Sequence, residues 1–146
     1  MKLFRNRAAS HNFFFVDELE TGIVLKGTEI KSIRAGKINF KDSYARIEKG
    51  EVWLYHLHIS PYEKGNIFNH NPERKRKLLL NKREIKKLSK KVEEQGFTLV
   101  PKELYINDEG RCKLTLAVAK GKKLYDKRED IKKKDIEREH KRKESF

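Results

Sequence analysis

The chain has 146 residues, 36% hydrophobic and 40% charged, and its 36 Lys and Arg against 22 Asp and Glu leave a net charge of +14. That length fits one domain with a modest core, and a surface so basic favours polyanions, nucleic acid first among them. A single cysteine, Cys112, rules out a disulfide framework within the chain, and no stretch approaches 18 apolar residues or pairs a wide apolar face with a basic one, so no membrane partner is expected.

Residues 1–10 are basic and small and read as an N-terminal arm. The start Met1-Lys2-Leu3-Phe4-Arg5 lacks the apolar region of a signal peptide, and a cytoplasmic protein is expected. Residues 11–119 read as the folded body. Within it, Asn12-Phe13-Phe14-Phe15-Val16 and Gly22-Ile23-Val24-Leu25 are strand candidates. Thr28 to Arg34 predicts one or two helical turns, capped by Thr28, with Ile30 and Ile33 on one side and Gly36 as the stop. Tyr44 to Ile47 and Val52 to Ile59 flank Glu48-Lys49-Gly50-Glu51, a hairpin loop with glycine where positive φ is needed.

Residues 60–72 read as loop. A helix then starts with Asn81 as N-cap and Glu84 at capping-box spacing, and Leu80 and Ile85 suit a hydrophobic staple. Ile85, Leu88 and Val92 form its buried stripe and Gly96 ends it. Leu99-Val100-Pro101 and Leu104-Tyr105-Ile106 follow as strands, and Pro101 implies an edge position or a strand start. After the turn Asn107 to Gly110, Leu114, Leu116 and Val118 recur at period two, and Cys112 fits a small half-buried position. The order is mainly β with accessory helices, and a small β-barrel closed by a helix satisfies it because closure removes exposed edges.

From residue 120 the character changes. Residues 120–146 hold 12 basic and 7 acidic residues, with Leu124, Tyr125, Ile131, Ile136 and Phe146 as the only sizeable apolar groups. So little apolar surface does not offset backbone ordering at ~1–2 kcal/mol per residue. Four acid-before-base pairs at i,i+4, such as Glu129/Lys133 and Glu137/Lys141, contribute about 1–2 kcal/mol together. The expectation is a tail disordered when free and helical once it lies on a surface.

No catalytic set emerges. Of the five histidines only His56 and His58 share a strand face, which is too few for a catalytic zinc site. Gly121-Lys122-Lys123 lacks the glycine loop of a phosphate-binding motif. No enzyme activity, metal or cofactor is expected. Three cationic stretches do suit RNA: Lys31, Arg34 and Lys37; Arg74-Lys75-Arg76-Lys77 beside the apolar Leu78-Leu79-Leu80; and Lys122-Lys123 with Lys127-Arg128. Phosphate contacts supply affinity, while specificity has to come from shape, unstacked bases and the 2′-hydroxyl. The aromatic residues Phe13, Phe14, Phe15, Trp53, Tyr55 and Tyr62 are candidates for stacking on bases, but most of them are expected in the core. A general single-strand RNA-binding or ribosome-assembly protein without a dedicated RNA is the alternative to a protein dedicated to one RNA.

Several stretches together narrow the choice. The run from Gly22-Ile23-Val24-Leu25-Lys26-Gly27-Thr28-Glu29 to Ile33-Arg34-Ala35-Gly36 closely resembles the SsrA-binding proteins, also called small protein B. So do Asp42-Ser43-Tyr44-Ala45, His58-Ile59-Ser60-Pro61-Tyr62, Phe68-Asn69-His70, Arg76-Lys77-Leu78-Leu79-Leu80, Ala119-Lys120-Gly121-Lys122-Lys123 and Asp126-Lys127-Arg128. The likeness runs in order from about Asn6 to Ile136. It implies an oligonucleotide-binding-type β-barrel that holds the tRNA-like domain of tmRNA (SsrA RNA). It further implies delivery of that RNA with elongation factor Tu to stalled ribosomes for trans-translation, the tail lying along the empty mRNA channel. By position, Glu20, Leu79 and Asn81 match residues the family ties to tmRNA binding. Lys31, Asn69, His70, Arg74, Arg76 and Lys77 are expected on the same surface. Gly121, Lys122, Lys123, Asp126, Lys127 and Arg128 match tail elements used in ribosome engagement.

Overall fold

Alternating apolar and polar residues form the strands of this chain, and the parity of the alternation decides which side of each strand is buried. The computed structural model describes residues 2–62 and 69–122. Its elements in chain order are β1 (Lys2–Arg5), α1 (Arg7–Asn12), β2 (Phe13–Ile23), α2 (Gly27–Arg34), β3 (Ile38–Asn39), β4 (Tyr44–Glu48), β5 (Glu51–Tyr55), β6 (His58–Ile59), β7 (Arg76–Leu79), α3 (Lys82–Gln95), β8 (Thr98–Ile106) and β9 (Cys112–Gly121). The architecture is mainly β with accessory helices, as expected.

Antiparallel pairings run in a closed circuit from β8 through β4, β5, β7, β2 and β9 back to β8. Inside it lie Val52, Leu54, Leu78, Leu99, Leu104, Leu114, Leu116 and Val118, with Ile33 of α2 and Leu88 of α3 added from the helices. Each such side chain contributes about 1.5–3 kcal/mol by leaving water. The tail expectation beyond Lys122 lies outside the described residues.

Two bulges set the parity. In β2 the register shifts between Phe15 and Asp17. Phe13 and Phe15 therefore pack on a second cluster of Ala9, Val100, Ala117 and Ala119, while Leu19 packs on the main core beside buried Ile23. In β8 the shift falls between Pro101 and Glu103. Pro101 is next to that bulge inside a continuous strand rather than at a strand start, but it falls between the β4 pairing at Leu99 and the β1 pairing at Glu103–Ile106, so only β9 pairs with it and the expected edge-like position holds locally.

The first ten residues also differ from expectation. Lys2–Arg5 pair with Glu103–Ile106 of β8, and Asn6 then fixes the chain. Its amide donates to Lys102 O at 2.9 Å, its Nδ2 to Pro101 O at 2.7 Å, and its Oδ1 caps α1 at Ala9 N, 3.1 Å away. Lys2–Arg5 of the arm are therefore part of the sheet, and residues 7–10 of it open α1.

The β4–β5 hairpin turns through Lys49 and Gly50, at φ 51° and 76°, the pair of left-handed residues that suits strand twist. The strand expected to run on to Ile59 breaks at His56, where φ is 63°. α3 follows its sequence grammar: Asn81 Oδ1 accepts from Glu84 N at 2.8 Å, Glu84 returns a carboxylate oxygen to Asn81 N at 2.9 Å, and Gly96 closes the helix at φ 69°.

A buried carboxylate joins α2 to the sheet. Glu29, wholly buried, accepts from Lys26 N at 2.7 Å, which caps α2 in place of the expected Thr28, and from Arg74 Nη2 at 2.6 Å. Its other oxygen accepts from Arg76 Nε at 2.7 Å. Arg76 is also wholly buried and donates Nη1 to Leu57 O and Nη2 to Pro72 O, at 2.5 and 3.1 Å. Burial pushes the Glu29 carboxyl up, but the hydrogen bonds from Arg74 and Lys26 and the Arg76 charge outweigh it and leave its pKa below the usual 4.5. Stability from this group is full above about pH 4.5 and is lost as pH falls through the lower folded value. Arg76→Ala should therefore cost about 3–5 kcal/mol in denaturant titration at pH 7, because it strands a buried charge. Glu29→Gln should flatten the fall in melting temperature below pH 4.5, and an unchanged acid profile would show that other carboxylates set it.

Candidate nucleic-acid interface

The β2–β7 pairing brings three of the expected residues to one place. Gly22 lies opposite Leu79 and Ile23 opposite Leu78. Ile23 and Leu78 point inward, so Gly22 and Leu79 face outward, and the same register sets Glu20 level with Asn81, where the chain leaves β7. Leu79 is 53% exposed and Val24 44%. Gly22 eases this approach, since a Cβ there would meet the Leu79 Cβ and Cδ1 at a tight 3.2 Å. The result is an apolar ridge with charged side chains beside it. Lys77, beside Val24, pairs with Glu51, and Lys113 of β9 lies opposite Gly22 on β2 and opposite Tyr105 on β8.

Glu20 is exposed and accepts a hydrogen bond from the Tyr105 hydroxyl. That bond pushes the Tyr105 phenol from 10.0 up to about 12. One acceptor oxygen held toward Tyr105 leaves the other turned to solvent donors, such as base amino groups and ribose hydroxyls.

Other expected residues serve the framework. Arg76 is buried in the Glu29 cluster, and reaching RNA would strand that carboxylate, so it is withdrawn from the surface. His70 is buried too: its Nδ1 shares a hydrogen bond with Thr28 Oγ1 at 2.8 Å and its Nε2 one with Ile59 O at 2.7 Å. Asn69 closes the loop by accepting from Tyr62 N at 2.9 Å and donating to Tyr62 O at 2.5 Å. Arg74 is half-buried against Glu29 and also donates to Val24 O at 3.3 Å, at the border of the ridge. Lys31 lies 5.4 Å from the Tyr62 ring, and Arg34 lies beside Gly110 in the β8–β9 turn. Both are exposed on α2.

Gly121 and Lys122 stand elsewhere. Gly121 pairs with Phe13, nine positions along β2 from Gly22, roughly 30 Å from the ridge. Lys122 Nζ donates to Ser10 O at 3.2 Å and lies 4.9 Å from the Phe14 ring. Lys123, Asp126, Lys127 and Arg128 lie outside the described residues. Burial pushes the Cys112 thiol up to about 12, which keeps it a small packing group. Among the described residues no three His, Cys, Asp or Glu side chains group to hold a metal ion, and no helix is long and apolar enough to cross a membrane.

Of the aromatics expected mostly in the core, two on β5 turn outward. Trp53 and Tyr55 alternate with the buried Val52 and Leu54, so they face out of the barrel. That alternation was the available signal.

A closed, basic β-barrel with an apolar ridge among polar side chains is a protein built to meet a structured polyanion. Comparison with known proteins gives the same answer more narrowly. The family model described as SmpB protein matches residues 3–145. The SsrA-binding protein of Desulfitobacterium hafniense (strain DSM 10664 / DCB-2) is 61% identical over 134 residues, covering 92% of this chain and 85% of the relative. That of Anoxybacillus flavithermus (strain DSM 21510 / WK1) is 61% identical over 135 residues, covering 92% and 87%. A chain of the solved structure described as "tmRNA-SmpB: a journey to the center of the bacterial ribosome" superposes with a TM-score of 0.70 at 50% identity, covering 82% of this chain and 83% of that one. The chain belongs to the SmpB protein family.

Two measurements check this geometry. Glu20→Gln should bring the Tyr105 phenol down toward 10 in an NMR or ultraviolet titration, and no movement would mean the hydroxyl is not bound to Glu20. Asn81→Ala should cost about 1 kcal/mol by unfolding, and Asn81→Ser should restore most of it, because both Asn and Ser cap. RNA affinity lost equally in both variants would separate contact from capping.

Proposed function

We propose that the chain binds the tRNA-like domain of tmRNA through the ridge around Gly22, Val24 and Leu79, and supports its delivery to stalled ribosomes for trans-translation. The observation that carries the reading is Leu79, a large apolar side chain left at solvent level with Glu20 and Asn81 although the core is complete without it. Exposed apolar groups rimmed by polar ones mark contact surfaces. The names of the relatives, and the ribosome complex in which the structural neighbour was solved, support the choice of RNA.

In this reading Leu79 packs against an unstacked base or a sugar edge, and Glu20 accepts from base or ribose donors. Asn81 contributes beside them while capping α3. Lys77, Arg74, Lys31 and Arg34 supply phosphate contacts, and Asn69 shapes the neighbouring loop. Binding, and no chemical step, is the role. Elongation factor Tu joins through the same RNA in the cytoplasm. Gly121, Lys122 and Lys123, then Asp126, Lys127 and Arg128, engage the ribosome, with the tail following the empty mRNA channel.

The separation of ridge and tail makes the reading testable. Truncation after Lys122 spares the β9 pairing at Gly121 that a cut at residue 119 would remove. The truncated protein should hold the tRNA-like RNA nearly as tightly as the full chain and fail in peptide tagging. Leu79→Asp should weaken that RNA at least tenfold against bulk tRNA in competition binding, with melting nearly unchanged because the site is exposed. Equal affinity of the full chain for both RNAs would refute a dedicated partner.

A further inference from the structure

The outer face of β4 and β5 carries a cluster that the ridge does not use. Tyr44 lies directly opposite Tyr55, and their rings stack at 5.5 Å between centroids with 13° between planes. Trp53, two residues from Tyr55 on the same face, lies opposite Arg46 on β4 and opposite Lys77 on β7. Lys75 Nζ stands 4.5 Å from the Trp53 ring and 5.8 Å from the Tyr55 ring, and the Arg46 guanidinium 5.9 Å from Tyr55. His56 tilts against both tyrosines at 5.6 and 6.3 Å and adopts its left-handed backbone there. The three larger rings are half-buried, and the Arg46 and Lys75 side chains are 59% and 47% exposed.

We propose that this face is a second RNA contact, which stacks unpaired nucleotides on Trp53, Tyr55 and Tyr44 and holds their phosphates with Arg46 and Lys75. Flat rings interleaved with cations are what single-stranded nucleic acid needs, since every base offers a π-face and every step a charge. At rest Lys75 covers the rings, paired with Glu48 at 3.3 Å, and the Tyr55 hydroxyl also donates to Glu48. An exposed cation over a ring is held more weakly than a stacked base. An arriving nucleotide therefore displaces the ammonium from the rings onto its own phosphate. The site does not depend on which RNA the Leu79 ridge holds.

Trp53 is the only tryptophan, so its fluorescence reports this site alone. The full chain would be titrated with hexameric oligoadenylate and, as a charge-only control, with inorganic polyphosphate. Oligoadenylate should quench Trp53 to saturation and polyphosphate should not. Anisotropy of labelled RNA should show Trp53→Leu and Tyr55→Leu about tenfold weaker for oligoadenylate, unchanged for polyphosphate, and less affected for the tRNA-like RNA than Leu79→Asp. Glu48→Gln, which frees Lys75, should bind oligoadenylate more tightly. Absence of quenching in the wild-type chain, which needs no variant to fold, would overturn the proposal. So would full oligoadenylate affinity in the leucine variants, including the case where they lose a protein partner instead.

Discussion

Glu29 is the point on which the arrangement of this protein turns. A carboxylate removed from water is tolerated only when its oxygens are filled and its charge is matched, and here two arginines and a backbone amide do both. Because Arg76 opens β7 and also reaches Leu57 O and Pro72 O, the cluster fixes the chain on either side of the 57–76 excursion. The same carboxylate caps α2. Helix, excursion and strand are tied at one atom group, and β7 enters the sheet in the register that leaves Leu79 outside.

Register then decides what the surface presents. A shift of one residue in β7 would bury Leu79 and expose Leu78, since the faces alternate strictly. The bulge in β2 acts similarly at longer range: it lets Phe13 and Phe15 cover α1 while, six residues on, Thr21 and Ile23 turn inward and Gly22 outward. One strand thereby serves the tail exit at one end and the ridge at the other. Without the extra residue at Val16, one of those two ends would show the wrong side chains.

These devices explain what the sequence reveals and what it hides. α3 was legible because Asn81, Glu84 and Gly96 act locally, within a few residues of the backbone groups they satisfy. The hairpin at Lys49-Gly50 was legible for the same reason. β1 was not, because Lys2–Arg5 carry no alternation of their own and pair only because β8 offers an edge about a hundred residues later. Arg76 was misread because a cation in the run Arg74-Lys75-Arg76-Lys77 looks solvated until its neighbour in space, Glu29, is known. Strand parity alone places Lys75 and Lys77 on one face and Arg76 on the other, so the run was never a uniform cationic patch. Among the site residues, Glu20, Leu79 and Asn81 came from family likeness, and only the fold explains why residues so far apart in sequence sit level with one another.

Charge and shape do separate work in such a molecule. Taking the +5 of residues 120–146 from the chain's +14 leaves +9 on residues 1–119, enough to draw any RNA close. Four of the cations there are paired and contribute little to that excess, with Arg74 and Arg76 on Glu29, Lys75 on Glu48 and Lys77 on Glu51. Cations held by carboxylates add little to non-specific attraction, yet they stand where a phosphate can replace the carboxylate. A surface made this way discriminates by geometry: an RNA that matches several such positions at once, and also covers Leu79, gains contacts that a flexible polyanion of equal charge does not. Pairing its own lysines is thus one means by which a strongly basic protein avoids binding every RNA it meets.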